Sequence, residues 1–181
     1  MASAALPPLQ SSGSDGDLQL LRELGRGAFG TVHYARTAAG EERAVKRIRV
    51  SSLTSDKHKQ NLHREINIMS NIHHVNIVRL FSCKKHGNEE YWLVLEYCGG
   101  GDLSHFIRAQ QNPHRRLLEP VALGFFRQIV AALEFMDGQK MIHRDLKPAN
   151  ILLAGPGVGA RATLKIADFG FARLLPGQQL A

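Results

Sequence analysis

Short runs that mix apolar and polar residues, broken by glycines, dominate the start of the chain. LQLLREL (18–24), TVHYAR (31–36) and ERAVKRIRV (42–50) are of strand length and are set apart by glycine-bearing stretches, which predicts a small antiparallel sheet. From Ser55 to Ile72 the period changes: Leu62, Ile66, Met69 and Ile72 recur every three or four residues, the repeat of one helix face, with Ser and Thr upstream as caps. IVRLFSC (77–83) and YWLVLEYC (91–98) then predict two further strands around the turn KKHGNEE.

Beyond Gly99, Gly100 and Gly101 the pattern turns helical. Asp102 is placed to cap a short helix running to about Ala109, and QNPHRR (111–116) reads as a loop. A longer helix is predicted from Glu119, with Pro120 in its first turn. Val121, Phe125, Ile129, Ala132 or Leu133, and Met136 fall on one side of it, and Phe126, Val130 and Phe135 on the other, so it needs partners on several sides. HRDLKPANILL, AGPGVGARA and TLKIADFG read as an irregular loop, a short strand, a glycine-rich turn and a second short strand. Residues 1–17, rich in Ser, Gly, Pro and Ala, predict a disordered tail. The expected organisation is that tail, a first lobe with its connecting segment over 18–98, and a partial second lobe over 99–181.

Composition narrows the function classes. Lys and Arg total 23 against 16 Asp and Glu, a net charge of +7. No run of five or six like charges occurs, and neither an RNP motif nor zinc-finger spacing appears, so a basic surface is expected rather than a nucleic-acid partner. The two cysteines, Cys83 and Cys98, form no CxxC pair, which predicts a reducing, cytoplasmic setting. His73 and His74 lack a second ligand pair at metal spacing. No apolar stretch reaches 18 residues and no signal pattern opens the chain, so neither secretion nor a membrane span is expected.

The chemistry lies in the motifs. GRGAFGTV sets Gly25, Gly27 and Gly30 at a spacing shared by phosphate loops, dinucleotide folds and plain turns. A dinucleotide fold would continue as a helix with an acid some twenty residues on; in this chain the backbone stays extended and reaches Lys46. A strand lysine can hold α- and β-phosphates beneath a glycine flap, and Glu65 on the predicted helix can aim it. IHRDLKPAN brings Asp145, Lys147 and Asn150 onto one loop, a carboxylate to orient and deprotonate a hydroxyl, an ammonium to neutralise a moving phosphoryl group, and an amide oxygen for a metal ion. Asp168 supplies a second hard oxygen, with Phe169 as its anchor in the core and Gly170 expected to permit the turn. GPGVGARAT lacks the Gly-Lys-Ser/Thr of a P-loop.

In this order, from about Leu18 to Arg173, these motifs resemble the eukaryotic protein kinase domain, and KPAN resembles its serine/threonine branch. The resemblance implies an α+β, bilobal fold: a five-stranded antiparallel N-lobe with one helix, and a mainly helical C-lobe that is incomplete in this chain. It implies ATP and Mg²⁺ as cofactors and transfer of the γ-phosphoryl group to a Ser or Thr hydroxyl of a protein substrate. It casts Lys46, Glu65, Asp145 and Lys147 as catalytic, and Asn150 and Asp168 as metal ligands. Glu96 to Cys98 becomes the hinge at adenine, Leu95 the gatekeeper and Asp102 a ribose contact; Val32, Ala44 and Leu152 sandwich the base, and Met69, Leu80, His143 and Phe169 stack as a spine. EYCGGGDL with ADFGFAR is similar to the autophagy-initiating kinases. A complete domain of the family would continue for roughly a hundred residues past Ala181. The sequence therefore also suggests an alternative, a truncated fragment without catalytic competence that binds nucleotide or a protein partner. In that case Phe125, Phe126, Ile129, Val130 and Leu133 are not all expected to be covered, and Arg144 lacks the activation-loop phosphate it meets in the family.

Overall fold

Each strand of the first sheet carries side chains to its two faces alternately, and the register decides which residues share a face. A computed structural model of the chain describes residues 18–27, 30–87, 89–110, 117–155 and 162–175. The tail over 1–17, the QNPHRR loop, most of the glycine-rich turn and the last residues of LLPGQQLA lie outside them. Two compact units are present: residues up to Ser70 together with Leu80–Tyr97, and Asn71–Arg79 together with the chain from Cys98 onward.

In the first unit, β1 (Gln19–Gly27), β2 (Gly30–Arg36), β3 (Glu42–Arg49), β4 (Leu80–His86) and β5 (Glu90–Glu96) form one sheet in the order β1-β2-β3-β5-β4. Every neighbouring pair is antiparallel. Val45, Ile48, Leu93 and Val94 are buried in it. Helix α1 (Asp56–Asn71) buries Leu62, Ile66, Ile68 and Met69. Ser55 caps α1, its hydroxyl accepting from the His58 amide at 3.2 Å, which satisfies one of the amide donors a helix start leaves open. In this sheet Gly30 is required by packing: a Cβ there would lie 1.7 Å from the carbonyl oxygen of Arg47 on the paired strand.

The expected strand 77–83 begins later, at Leu80. Ile77 and Val78 are engaged within the second unit instead, where Ile77 bridges Ile166 and the Val78 amide donates to the Ile166 carbonyl at 2.9 Å. At its far end β4 continues to His86, since Lys84, Lys85 and His86 pair with Trp92, Tyr91 and Glu90.

The second unit holds α2 (Leu103–Arg108), α3 (Glu119–Gly138) and two short ribbons, β6 (Met141–Ile142) with β9 (Arg173–Leu174), and β7 (Ile151–Ala154) with β8 (Thr163–Ile166). Asp102 caps α2, its carboxylate accepting from the His105 amide at 2.8 Å. Leu103, Phe125, Ile151, Leu153, Ala162 and Leu164 form the core, with Val121 and Ile129 partly buried against it. The other side of α3 stays open: Phe126 is 61% exposed and Leu133 39%, against 2% for Phe125. Among the described residues no helix is long and apolar enough to cross a membrane.

Candidate active site

Lys46 points from β3 to Glu65 on α1, with Nζ 2.6 Å from Oε1. The Glu65 side chain is 8% exposed and that of Lys46 26%, so the carboxylate depends on the ammonium for its charge balance. Cys83, on strand β4 of the same sheet, registers this local field: burial, reinforced by the Glu65 charge, pushes its thiol up to about 12. It stays protonated and unreactive at neutral pH.

The other predicted residues of this unit follow from sheet register. Val32 lies opposite Lys46, and Ala44 lies opposite Tyr34 on one side and Leu95 on the other. Glu96 ends β5 opposite Arg43, and Cys98 begins the second stretch of the second unit. Met69 and Leu80 are buried in the first unit. Gly25 pairs with Val32 past a register shift, and Gly27 pairs with Gly30. Nothing lies within 4 Å of a Cβ built on Gly25 or Gly27, so these two leave open space beside the strand, whereas Gly30 answers an internal contact. Ala28 and Phe29 lie outside the described residues.

In the second unit the irregular loop after β6 is tied down through side chains. His143 is 4% exposed; its Nδ1 accepts from the Asp145 amide at 3.3 Å, which leaves the ring proton on Nε2, 3.0 Å from the Ala167 carbonyl. Burial lowers the His143 pKa, and the bond to Ala167 offsets this only in part, so the ring is neutral at neutral pH. Its ring meets Phe169 edge-on, with centroids 4.9 Å apart. Arg144 adopts a left-handed φ of 68° and donates from Nε to the Phe171 carbonyl at 2.7 Å.

Asp145, Lys147 and Asn150 form one network. Lys147 Nζ lies 3.0 and 2.8 Å from the two carboxylate oxygens of Asp145. Asn150 donates from Nδ2 to the Asp145 carbonyl and to Oδ2, each at 2.9 Å. These contacts, that of Lys147 first, hold the Asp145 carboxyl below the usual carboxylate range. Because the Asn150 amide nitrogen is spent on Asp145, its Oδ1 is the atom left to bind a cation.

Asp168 stands one residue past Ala167, whose amide donates to the Asn150 carbonyl at 2.9 Å at the end of the β7–β8 ribbon. It is exposed, while Phe169 behind it is 1% exposed. The turn differs from expectation: the positive φ falls on Asp168 itself, at 64°, and not on Gly170. Aspartate tolerates that conformation better than a branched or bulky residue.

Asp102 and Leu152 are bridge partners, flanked by hydrogen bonds between Gly100 or Gly101 and Leu153. The Asp102 carboxylate spends Oδ1 on its helix cap. Neither Asn76 nor Gln128 stands out in the sequence. Gln128 Oε1 accepts from Asn76 Nδ2 at 2.9 Å and from the Leu164 amide at 2.8 Å, bracing the strand that leads to Asp168. A lone Asn amid the apolar residues of HHVNIV was the available signal.

Among the described residues no group of three or more His, Cys, Asp or Glu is placed to hold a metal ion. Asn150 Oδ1 and the Asp168 carboxylate are both hard oxygen donors, the kind that Mg²⁺ prefers.

Residues 18–180 match the protein kinase domain family. The chain is 41% identical over 174 residues to Serine/threonine-protein kinase ATG1a of Arabidopsis thaliana, covering 96% of this chain and 26% of the relative. It is 35% identical over 192 residues to Serine/threonine-protein kinase ATG1 of Debaryomyces hansenii, covering 88% of this chain and 22% of the relative. For the ATG1 kinase of Saccharomyces cerevisiae the identity is 30% over 206 residues, with 93% and 23% covered. The chain thus spans about a quarter of the length of these relatives. It belongs to the protein kinase domain family, and the relatives it matches are serine/threonine-protein kinases.

Proposed function

We propose that the chain binds Mg·ATP and catalyses transfer of its γ-phosphoryl group to a serine or threonine hydroxyl of a protein. The observation that carries this reading is the Asp145–Lys147–Asn150 network, which gathers a carboxylate, an ammonium and an amide oxygen on one loop. Lys46, aimed by Glu65, holds the α- and β-phosphates, and the space beside Gly25 and Gly27 admits the nucleotide's phosphates to the backbone. Val32, Ala44 and Leu152 supply apolar contacts to adenine, the backbone of Glu96 to Cys98 its polar edge, and Asp102 Oδ2 remains for the ribose. Asn150 and Asp168 hold Mg²⁺, which when bound offsets charge on the β- and γ-phosphate oxygens.

Asp145 orients the acceptor hydroxyl and takes its proton onto a carboxylate oxygen. Its lowered pKa keeps it ionised but makes it a weak base, which fits a loose transition state that needs the proton removed late. Lys147, within 2.8 Å of that carboxylate, places a positive charge beside the group in transit. A cytoplasmic location and a role in autophagy initiation belong to the same proposal, supported by the likeness to ATG1 kinases.

The exposed Phe126 and Leu133 on α3 favour a second reading, a module that binds nucleotide or a protein without transfer. Label transfer from γ-labelled Mg·ATP to casein separates the two. The wild-type chain is expected to transfer label, and Asp145→Asn to lose about 10²- to 10⁴-fold in rate with Mg·ATP affinity nearly unchanged. Equal loss of affinity and rate would remove Asp145 from the role of base; binding without transfer in the wild type would establish the second reading.

A further inference from the structure

The first unit carries a concave site on the face of its sheet away from Lys46. Val32, Lys46 and Leu93 are register partners in one row across β2, β3 and β5. Thr31, Arg47 and Trp92 form the adjacent row, whose side chains project from the opposite face. On that face a cavity of about 200 Å³ is lined by Arg26, Thr31, Arg47, Arg49, Ser52 and Glu90. Three arginines and one glutamate thus contribute to its lining.

That carboxylate is already committed. Glu90 accepts from Trp92 Nε1 at 2.9 Å and from Arg47 Nε and Nη2, each at 2.9 Å. These contacts, the indole bond first, hold it below the usual carboxylate range, so it stays ionised and keeps Arg47 in place. The outer nitrogen of the Arg47 fork, Nη1, takes no part in that pairing. Arg26 pairs with Glu23 at 3.0 Å on the open surface, an exchangeable contact. Arg49, exposed at the end of β3, lies within the field of Glu90.

We propose that this pocket binds a phosphomonoester dianion carried on a protein segment, a phosphoserine or phosphothreonine. Planar guanidinium forks match phosphoryl oxygens two at a time, and Thr31 adds a hydroxyl donor. The site is one concavity with Glu23 and Glu90 in or beside it, which suits a single phosphoryl group and disfavours an anionic membrane sheet, whose capture takes a broader Lys/Arg cluster. Protein kinases generate this group on protein segments, so its source lies in the same chemistry.

Trp92 is the chain's single tryptophan and lies 5.6 Å from the Arg47 guanidinium, so its fluorescence reports on the pocket. The whole chain is titrated with a degenerate peptide library fixed at a central phosphoserine, the same library with serine, inorganic phosphate, and phosphatidylcholine vesicles containing phosphatidylinositol 4-phosphate. A saturable response to the phosphoserine library and none to the serine library is expected, weakening with added salt. Arg49→Gln is expected to weaken it at least tenfold while leaving the melting temperature unchanged, and Asp145→Asn to leave it intact, so this result stands or falls apart from the transfer reaction. A response to the serine library, to vesicles or inorganic phosphate alone, or to none of the four, would overturn the proposal.

Discussion

Lys46 and Glu65 project from a strand and a helix whose own hydrogen bonds fix them, and one 2.6 Å contact joins them. Asp145, Lys147 and Asn150 lie on chain with no ladder, held by bonds that run from side chains to backbone and to one another. In the first unit the Lys46–Glu65 pair depends on register, and disturbing the sheet is the way to move it. In the second it depends on a few local bonds around His143, Asn150 and Asp168, with left-handed backbone at Arg144 and at Asp168 itself. Regular structure resists small changes and fails all at once; the bonded loop responds to single atoms.

The largest effect should come from Gly30→Ala. A methyl group 1.7 Å from the Arg47 carbonyl oxygen forces β2 and β3 apart, and we expect a loss of about 3 kcal/mol in urea unfolding. Gly25→Ala and Gly27→Ala, with open space around them, should leave stability nearly unchanged; if all three behave alike, register is not what sets the first unit.

A smaller change of opposite sign is expected at Asp168→Gly. Relieving the left-handed φ of 64° should stabilise the second unit by up to about 1 kcal/mol while removing a carboxylate proposed to hold Mg²⁺. Destabilisation in the urea midpoint would mean that Asp168 carries structural bonds as well.

The smallest effect is the titration of His143. Its folded pKa is lowered by burial, so the unfolded chain takes up the proton first as pH falls. The stability this ring contributes is in place above its unfolded pKa of about 6.5 and is lost as pH drops through the lower folded value. Urea midpoints between pH 7.5 and 5 should therefore fall for the wild type and fall less for His143→Gln; parallel slopes would place the pH dependence elsewhere.

The same contrast explains what the sequence disclosed. Strand-length runs bounded by glycines and turns, and helical spacing, revealed the five strands and α1 because those elements leave local signals, and Lys46 and Glu65 were legible as a pair on them. Asp145, Asn150 and Asp168 were legible as residue types in a motif, but not the bonds that hold them. The Asn76–Gln128 brace joins residues far apart in the chain and leaves no periodic trace. The β6–β9 ribbon, two residues per strand, is too short for alternation to register. The late start of β4 had the same cause: Ile77 and Val78 look like strand, and only tertiary pairing with Ile166 takes them into the other unit.

The proposed division of labour, with Lys46 on regular structure holding phosphate and Asn150 and Asp168 in the second unit holding Mg²⁺, is tested most directly by ATP affinity with and without Mg²⁺, measured by calorimetry on Lys46→Met and Asp168→Asn. The account predicts that Lys46→Met weakens ATP binding in both conditions, whereas Asp168→Asn removes only the enhancement that Mg²⁺ brings. If Asp168→Asn weakens metal-free binding as much as Lys46→Met does, or leaves the Mg²⁺ enhancement whole, the assignment is contradicted.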